Sequence, residues 1–154
     1  MTSYDIVINK FVKKIKQDIK FFMYNNLTKE EILQTIRERS LDLLESACDE
    51  LEPQLDQISL SDRDDDIESF DDDLTRIEID TISDMMKVIY MREPLVKLKE
   101  FQKYLGTDIN AWSPANERKT YLQLLNDIEK KMEEKIDKCN YINRNTGKSR
   151  SLYD

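Results

Sequence analysis

Histidine is absent from all 154 residues. That removes the commonest general base and the commonest transition-metal ligand, so histidine-based triads and most zinc chemistry are excluded. Only two glycines and three prolines occur. β-Rich folds and phosphate-cradling loops use both residues at their turns, so their scarcity favours an all-α chain. The two cysteines, Cys48 and Cys139, stand far apart in no CxxC spacing and read as core thiols, neither a bridge nor a metal site. No apolar run approaches the ~18 residues of a membrane span. Met1–Phe22 mixes five lysines into its apolar residues, unlike a secretory leader, and the expectation is a soluble protein made in the cytosol.

What is present is charge. Charged residues make up 36% of the chain and hydrophobic ones 39%, a balance that suits amphipathic helices with wet outer faces. The length fits one domain.

Helical periodicity is legible in four places. Ser3 is set as an N-cap before a stripe of Tyr4, Ile8, Phe11, Ile15, Ile19 and Phe22. A capping box at Thr28–Glu31 opens a second helix, with Ile32, Ile36, Ser40, Leu43, Ala47 and Leu51 on one side and Pro53 as its stop. Residues 53–74 lose the helical period, turn strongly acidic and read as an extended connector. A second capping box, Thr75–Glu78, starts a helix along Ile79, Ile82, Met85, Met86 and Ile89, which Pro94 is expected to break or kink. Leu95, Leu98, Phe101 and Leu105 continue the pattern to Gly106, a C-terminal cap. Ser113-Pro114 starts the last helix, striped by Tyr121, Leu125, Ile128, Met132, Ile136 and Cys139. Residues 140–154 have no stripe and read as a tail that is loose in the free monomer. The expected fold is a bundle of four to five antiparallel helices over residues 1–139, followed by an extended tail.

Charge is distributed unevenly. Residues 1–27 hold five lysines against two acids, residues 41–84 two arginines against seventeen acids, and residues 138–154 four bases against one acid. Two basic ends and an acidic middle could pack head to side between copies; the plainer reading is a loop kept in solution by its own charge.

No motif for catalysis emerges. Asp62, Asp64 and Asp66 have the 1, 3, 5 spacing of a calcium loop, but Ile67 stands where its glycine belongs and Asp73 where its bidentate glutamate belongs. The acids lie in a polar segment with nothing apolar beside them to raise a pKa. Gly147-Lys148-Ser149 fails as a phosphate loop because Ile142 takes the place of its first glycine. The lysines of the first helix scatter around it, which disfavours sequence-specific nucleic-acid recognition. Trp112, the only tryptophan, precedes the Ser113 cap and reads as a turn or interface anchor. No cofactor or metal is expected, and no enzymatic activity.

Three stretches in order carry a resemblance: FDDDLTRIEID (Phe70–Asp80), the Met-rich SDMMKVIYMREPLVKLKEFQKYL (Ser83–Leu105) and GTDINAWSPANERKTYLQLLNDI (Gly106–Ile128). The chain resembles the head–tail connector, or adaptor, proteins of tailed bacteriophages of Firmicutes, with a Phe-x-x-Asp-Leu-Thr-x-x-Glu lead-in, a Met-containing helix and a Ser-Pro-Ala-Asn-like turn. It departs from them at Ile89–Arg92, where many relatives have a tryptophan before the proline turn. The resemblance implies a helical bundle in a homo-oligomeric ring, typically of about twelve copies, beneath the portal protein and against the next neck or tail-completion protein. Genomic DNA would only pass through its channel. It implies a virion location and a tail that reaches the portal, with Tyr141, Ile142, Leu152 and Tyr153 as apolar anchors and Arg144, Lys148 and Arg150 as charge contacts. The alternative is a small acidic helical regulatory module in the cytosol that masks a basic surface of its partner.

Overall fold

The computed structural model describes residues 1–15, 29–105 and 115–150. Its order is strand β1 (Thr2–Ser3), helix α1 (Tyr4–Lys14), α2 (Lys29–Leu51), a 3-10 turn (Glu52–Gln54), β2 (Arg63–Asp64), β3 (Ser69–Phe70), α3 (Arg76–Leu105) and α4 (Ala115–Tyr141). The molecule is mainly α, with four helices among the described residues and one small sheet.

Helix α1 begins where its cap predicts, the Ser3 side chain accepting from the Asp5 amide at 3.3 Å. It buries Tyr4, Val7, Ile8 and Phe11. Helix α2 buries Ser40, Leu43, Leu44, Ala47, Cys48 and Leu51, a face repeating at threes and fours. Helix α3 is the hub, packed against α1, α2 and α4. Enclosure on several sides explains why Thr81, Ser83 and Val88 are as buried as the expected Ile82, Met85 and Met86. The two hydroxyls cost little there, because Thr81 donates to the Ile77 carbonyl at 2.9 Å and Ser83 to the Asp80 carbonyl at 3.0 Å. Helix α4 contributes Leu125, Met132 and Ile136.

Three expectations need correction. Of the break or kink expected at Pro94, the break does not occur, since α3 is continuous to Leu105. Proline removes a single N–H from the ladder, and Tyr121 of α4 adds a bond nearby by donating its hydroxyl to the Met91 carbonyl at 2.6 Å. The acidic stretch 53–74 is not a solvated extended connector. It buries Leu55, Leu60, Phe70 and Leu74, and its strands pair with the amino terminus in a sheet of order β1-β3-β2, with Thr2 opposite Phe70 and Arg63 opposite Phe70. The expected all-α chain therefore has a β element, small enough that the glycine and proline count did not register it. Finally, the tail up to residue 150 is neither loose nor extended. It turns back on itself through an Ile142–Ser149 bridge, with Asn143 donating to the Lys148 carbonyl and Arg150 to the Tyr141 carbonyl, each at 2.8 Å. Gly147 supplies the left-handed turn at φ +64°.

The expected Ile19, Phe22, the Thr28 cap, Gly106, Trp112, Ser113 and Pro114 lie outside the described residues, as do Leu152 and Tyr153.

Candidate functional site

The segment that concentrates the acids is where both ends of the chain meet. Its local framework comes from Glu52, whose carboxylate accepts from the Ser59 hydroxyl at 3.0 Å and the Ser61 amide at 3.1 Å, fixing the loop after α2. Gln57 then faces the end of α4, its Nε2 donating its two hydrogens among the carbonyls of Cys139 at 2.7 Å and Asn140 at 3.1 Å in the helix and Ile142 at 2.8 Å just beyond it. These last carbonyls have no partner within the helix, so a side chain from the acidic stretch caps it. Asn140 answers by donating to the Gln54 carbonyl at 2.8 Å and accepting from the Asp56 amide at 3.1 Å.

The lead-in to α3 behaves as a capping box. The Thr75 amide donates to Glu78 Oε2 at 2.6 Å, and the Glu78 amide to Thr75 Oγ1 at 3.3 Å. The other oxygen of Glu78 accepts from Arg144 Nε at 2.9 Å, while Arg144 Nη2 reaches the Asp73 carbonyl at 2.6 Å. Glu78 is 5% exposed, so the cap of α3 and the tail share one buried carboxylate. Arg150 donates to Asp56 at 2.7 Å, and the amino group of Met1 meets the Asp73 carboxylate.

A second cluster joins α1, α3 and α4. Asp80 Oδ1 takes Lys10 at 2.9 Å and Lys14 at 3.0 Å, its Oδ2 takes Lys135 at 2.5 Å, and Asp84 pairs with both Lys14 and Lys135. Burial works against charge on Asp80, but hydrogen bonds from Lys135, Lys10 and Lys14 outweigh it and hold the carboxyl well below the usual carboxylate range. Burial likewise opposes charge on Lys135, and its bonds to Asp80 and Asp84 raise its pKa all the same. An acid held so firmly as an anion has little to offer as a proton donor or acceptor near neutrality. Arg92 ties the helices further, donating to Glu50 of α2 and Glu129 of α4, each at 2.9 Å.

The residues expected to bind a partner are thus placed in two groups. Arg144 and Arg150 are engaged within the chain, and Ile142 is half-buried beneath the hairpin. Tyr141 is 61% exposed, and Lys148 is exposed. Asp62–Asp73 forms a hairpin in place of a calcium-type loop, and Asp64 Oδ1 accepts from the Asp66 amide at 2.9 Å and the Ile67 amide at 3.3 Å. Burial pushes the Cys48 thiol up to about 12, and Arg63 beside it does not offset this, which leaves the sulfur a poor nucleophile.

Sequence reading missed the internal charge pairing. The uneven charge was visible, but the pairs span 66 residues for Arg144–Glu78 and 94 for Arg150–Asp56, separations that no local pattern reports. Gln57 and Asn140 left no periodic trace at all. No family model matches this chain, and no curated protein or solved structure matches it either.

Proposed function

We propose that this chain is a structural virion protein, a head–tail adaptor that joins a portal to the next neck or tail-completion protein as a homo-oligomeric ring. The observation that carries the reading is where the resemblance falls: Phe70–Leu105 includes the last residue of β3, the Thr75–Glu78 cap and the whole of α3, the helix on which the other three pack. The mechanism is assembly. Apolar side chains left on the outside of α4, Leu122 at 39% and Leu124 at 49% exposed, would be covered by neighbouring subunits. In this reading the folded hairpin 141–150 docks on the portal as a unit that presents Tyr141 and Lys148. DNA passes through the ring without being read.

Quantitative mass spectrometry of purified phage particles tests this directly. The expected result is about twelve copies per particle, the stoichiometry of a closed ring at one vertex. A protein abundant in infected cells but missing from particles would overturn the adaptor and favour the cytosolic binding module.

A further inference from the structure

One cavity, of about 260 Å³, opens between the first turn of α1, helix α2 and the β2–β3 hairpin. Its floor is apolar and recessed: Tyr4, Leu44 and Cys48 line it although they are 4%, 2% and 1% exposed. Its rim is acidic on two opposite walls, Asp42 and Glu45 from α2 facing Asp65 and Glu68 from the hairpin. A single cation, Arg63, also lines it, and its closest carboxylate contacts are long, 3.5 Å to Asp65 and 3.9 Å to Asp49. Glu68 is already paired with Arg37, so four carboxylates against two guanidiniums leave the cavity with a net negative rim. Among the described residues Glu45 has no ion pair, and the only one of Asp42 is a 3.9 Å contact with Arg39.

We propose that this cavity is a docking site for one arginine side chain presented by a partner protein. Size decides against a small molecule, because ligand pockets usually enclose ~300–1,000 Å³ and this one is smaller. An arginine matches what is there. Its aliphatic stem suits the floor of Leu41 and Leu44, and its planar fork of donors can meet carboxylates on both walls, which a lysine ammonium does less well. Ile67, in the turn between the lining residues Asp65 and Glu68, is 58% exposed and could meet residues flanking the arginine. Leu33, one turn before Arg37 of α2, is 57% exposed. Arg37 itself holds the rim in place through Asp5 at 2.6 Å and Glu68. An arginine in a recessed pocket with an apolar surround is the arrangement of a protein–protein anchor. This inference does not depend on the adaptor reading.

The test is a nuclear magnetic resonance titration of the full chain with N-acetyl-arginine amide, using its neutral isostere N-acetyl-citrulline amide as the control. The expected result is saturable shifts of the Leu41, Leu44 and Ile67 methyl signals with a dissociation constant on the order of 1–10 mM, at least about tenfold weaker for citrulline. The double variant D42N/E45Q, altered only at exposed side chains, should weaken the arginine response by a similar factor while the rest of the spectrum stays unchanged. Equal shifts with citrulline, or shifts away from the cavity, would overturn the site. Concentration-dependent self-association that D42N/E45Q abolishes and arginine amide reverses would overturn the partner assignment, because the occupant would then be a second copy.

Discussion

Glu78 and Asp80 lie two residues apart on α3 and do different work. Glu78 is buried and serves both a helix cap and Arg144, so replacing it removes a cap and leaves a guanidinium that is itself 19% exposed with only Asp72 and the Asp73 carbonyl as partners. Glu78→Ala is expected to cost about 2–4 kcal/mol in a urea unfolding experiment. Glu78→Gln should cost about half as much, because glutamine still fits the capping box. Equal losses would mean that charge, and not the cap, is what the site supplies. Asp80 predicts a pH dependence. Its pKa is depressed below the ordinary 3.8 in the folded state, so it contributes stability above the unfolded value, and that contribution is lost as pH falls towards the folded one. The stability gap between wild type and Asp80→Asn should therefore be full at pH 7 and should shrink as pH falls below about 4, where the unfolded chain already takes up the proton. A gap that stays constant down to about pH 2 would remove Asp80 as its source.

At the scale of the element, Gly147 tests whether the tail is a folded hairpin. It holds φ +64° with nothing within 4 Å of an added Cβ, so Gly147→Ala is penalised by the backbone alone, by about 1 kcal/mol. Hydrogen exchange should speed up at the amides of Asn143 and Arg150, which close the hairpin, while amides in α3 keep their protection. Unchanged exchange at those two amides would mean that the turn does not depend on its glycine. This hairpin also shows where sequence reading stopped. The helix starts at Ser3 and Thr75 were legible because a cap and its partner are three or fewer residues apart. The face of α2 was legible because burial on one side enforces a period. Helix α3 was legible as a helix but not as the hub, since a helix enclosed by three others buries small polar residues that sequence places outside any stripe. The two-residue strands were not legible, because two residues show no alternation. Their pairing partners lie more than sixty residues away in the case of β1 and β3.

For the whole molecule, the organising fact is that the excess acid of residues 41–84 meets basic groups from the chain's own ends. Lys10 and Lys14 lie on Asp80 and Asp84, the Met1 amine on Asp73, and Arg144 and Arg150 on Glu78, Asp72 and Asp56. The head-to-side pairing between copies that the charge pattern suggests is thus largely used up inside one copy, and the expected binding residues Arg144 and Arg150 are used with it. Among the described residues, the acids left without an ion pair include Glu45 at the rim of the α2 cavity and Asp62, Asp66 and Asp71 of the acidic stretch. Deleting residues 141–154 removes three bases and one acid and leaves Glu78 and Asp56 without their arginines. If charge holds the tail, the shortened chain should be less stable by about 2–4 kcal/mol at low ionic strength. Salt should then narrow the difference, because the Debye length falls from roughly 30 Å at 0.01 M to about 3 Å at 1 M and the exposed pair Arg150–Asp56 is screened first. Glu78, at 6% side-chain exposure, is shielded from salt, so a residue of the deficit should persist at 1 M. Urea unfolding of both chains across that range separates the two contributions. A deficit that does not respond to salt at all would assign the tail's hold to Gln57 and the half-buried Ile142, and the charge pattern would then not explain how the tail is held.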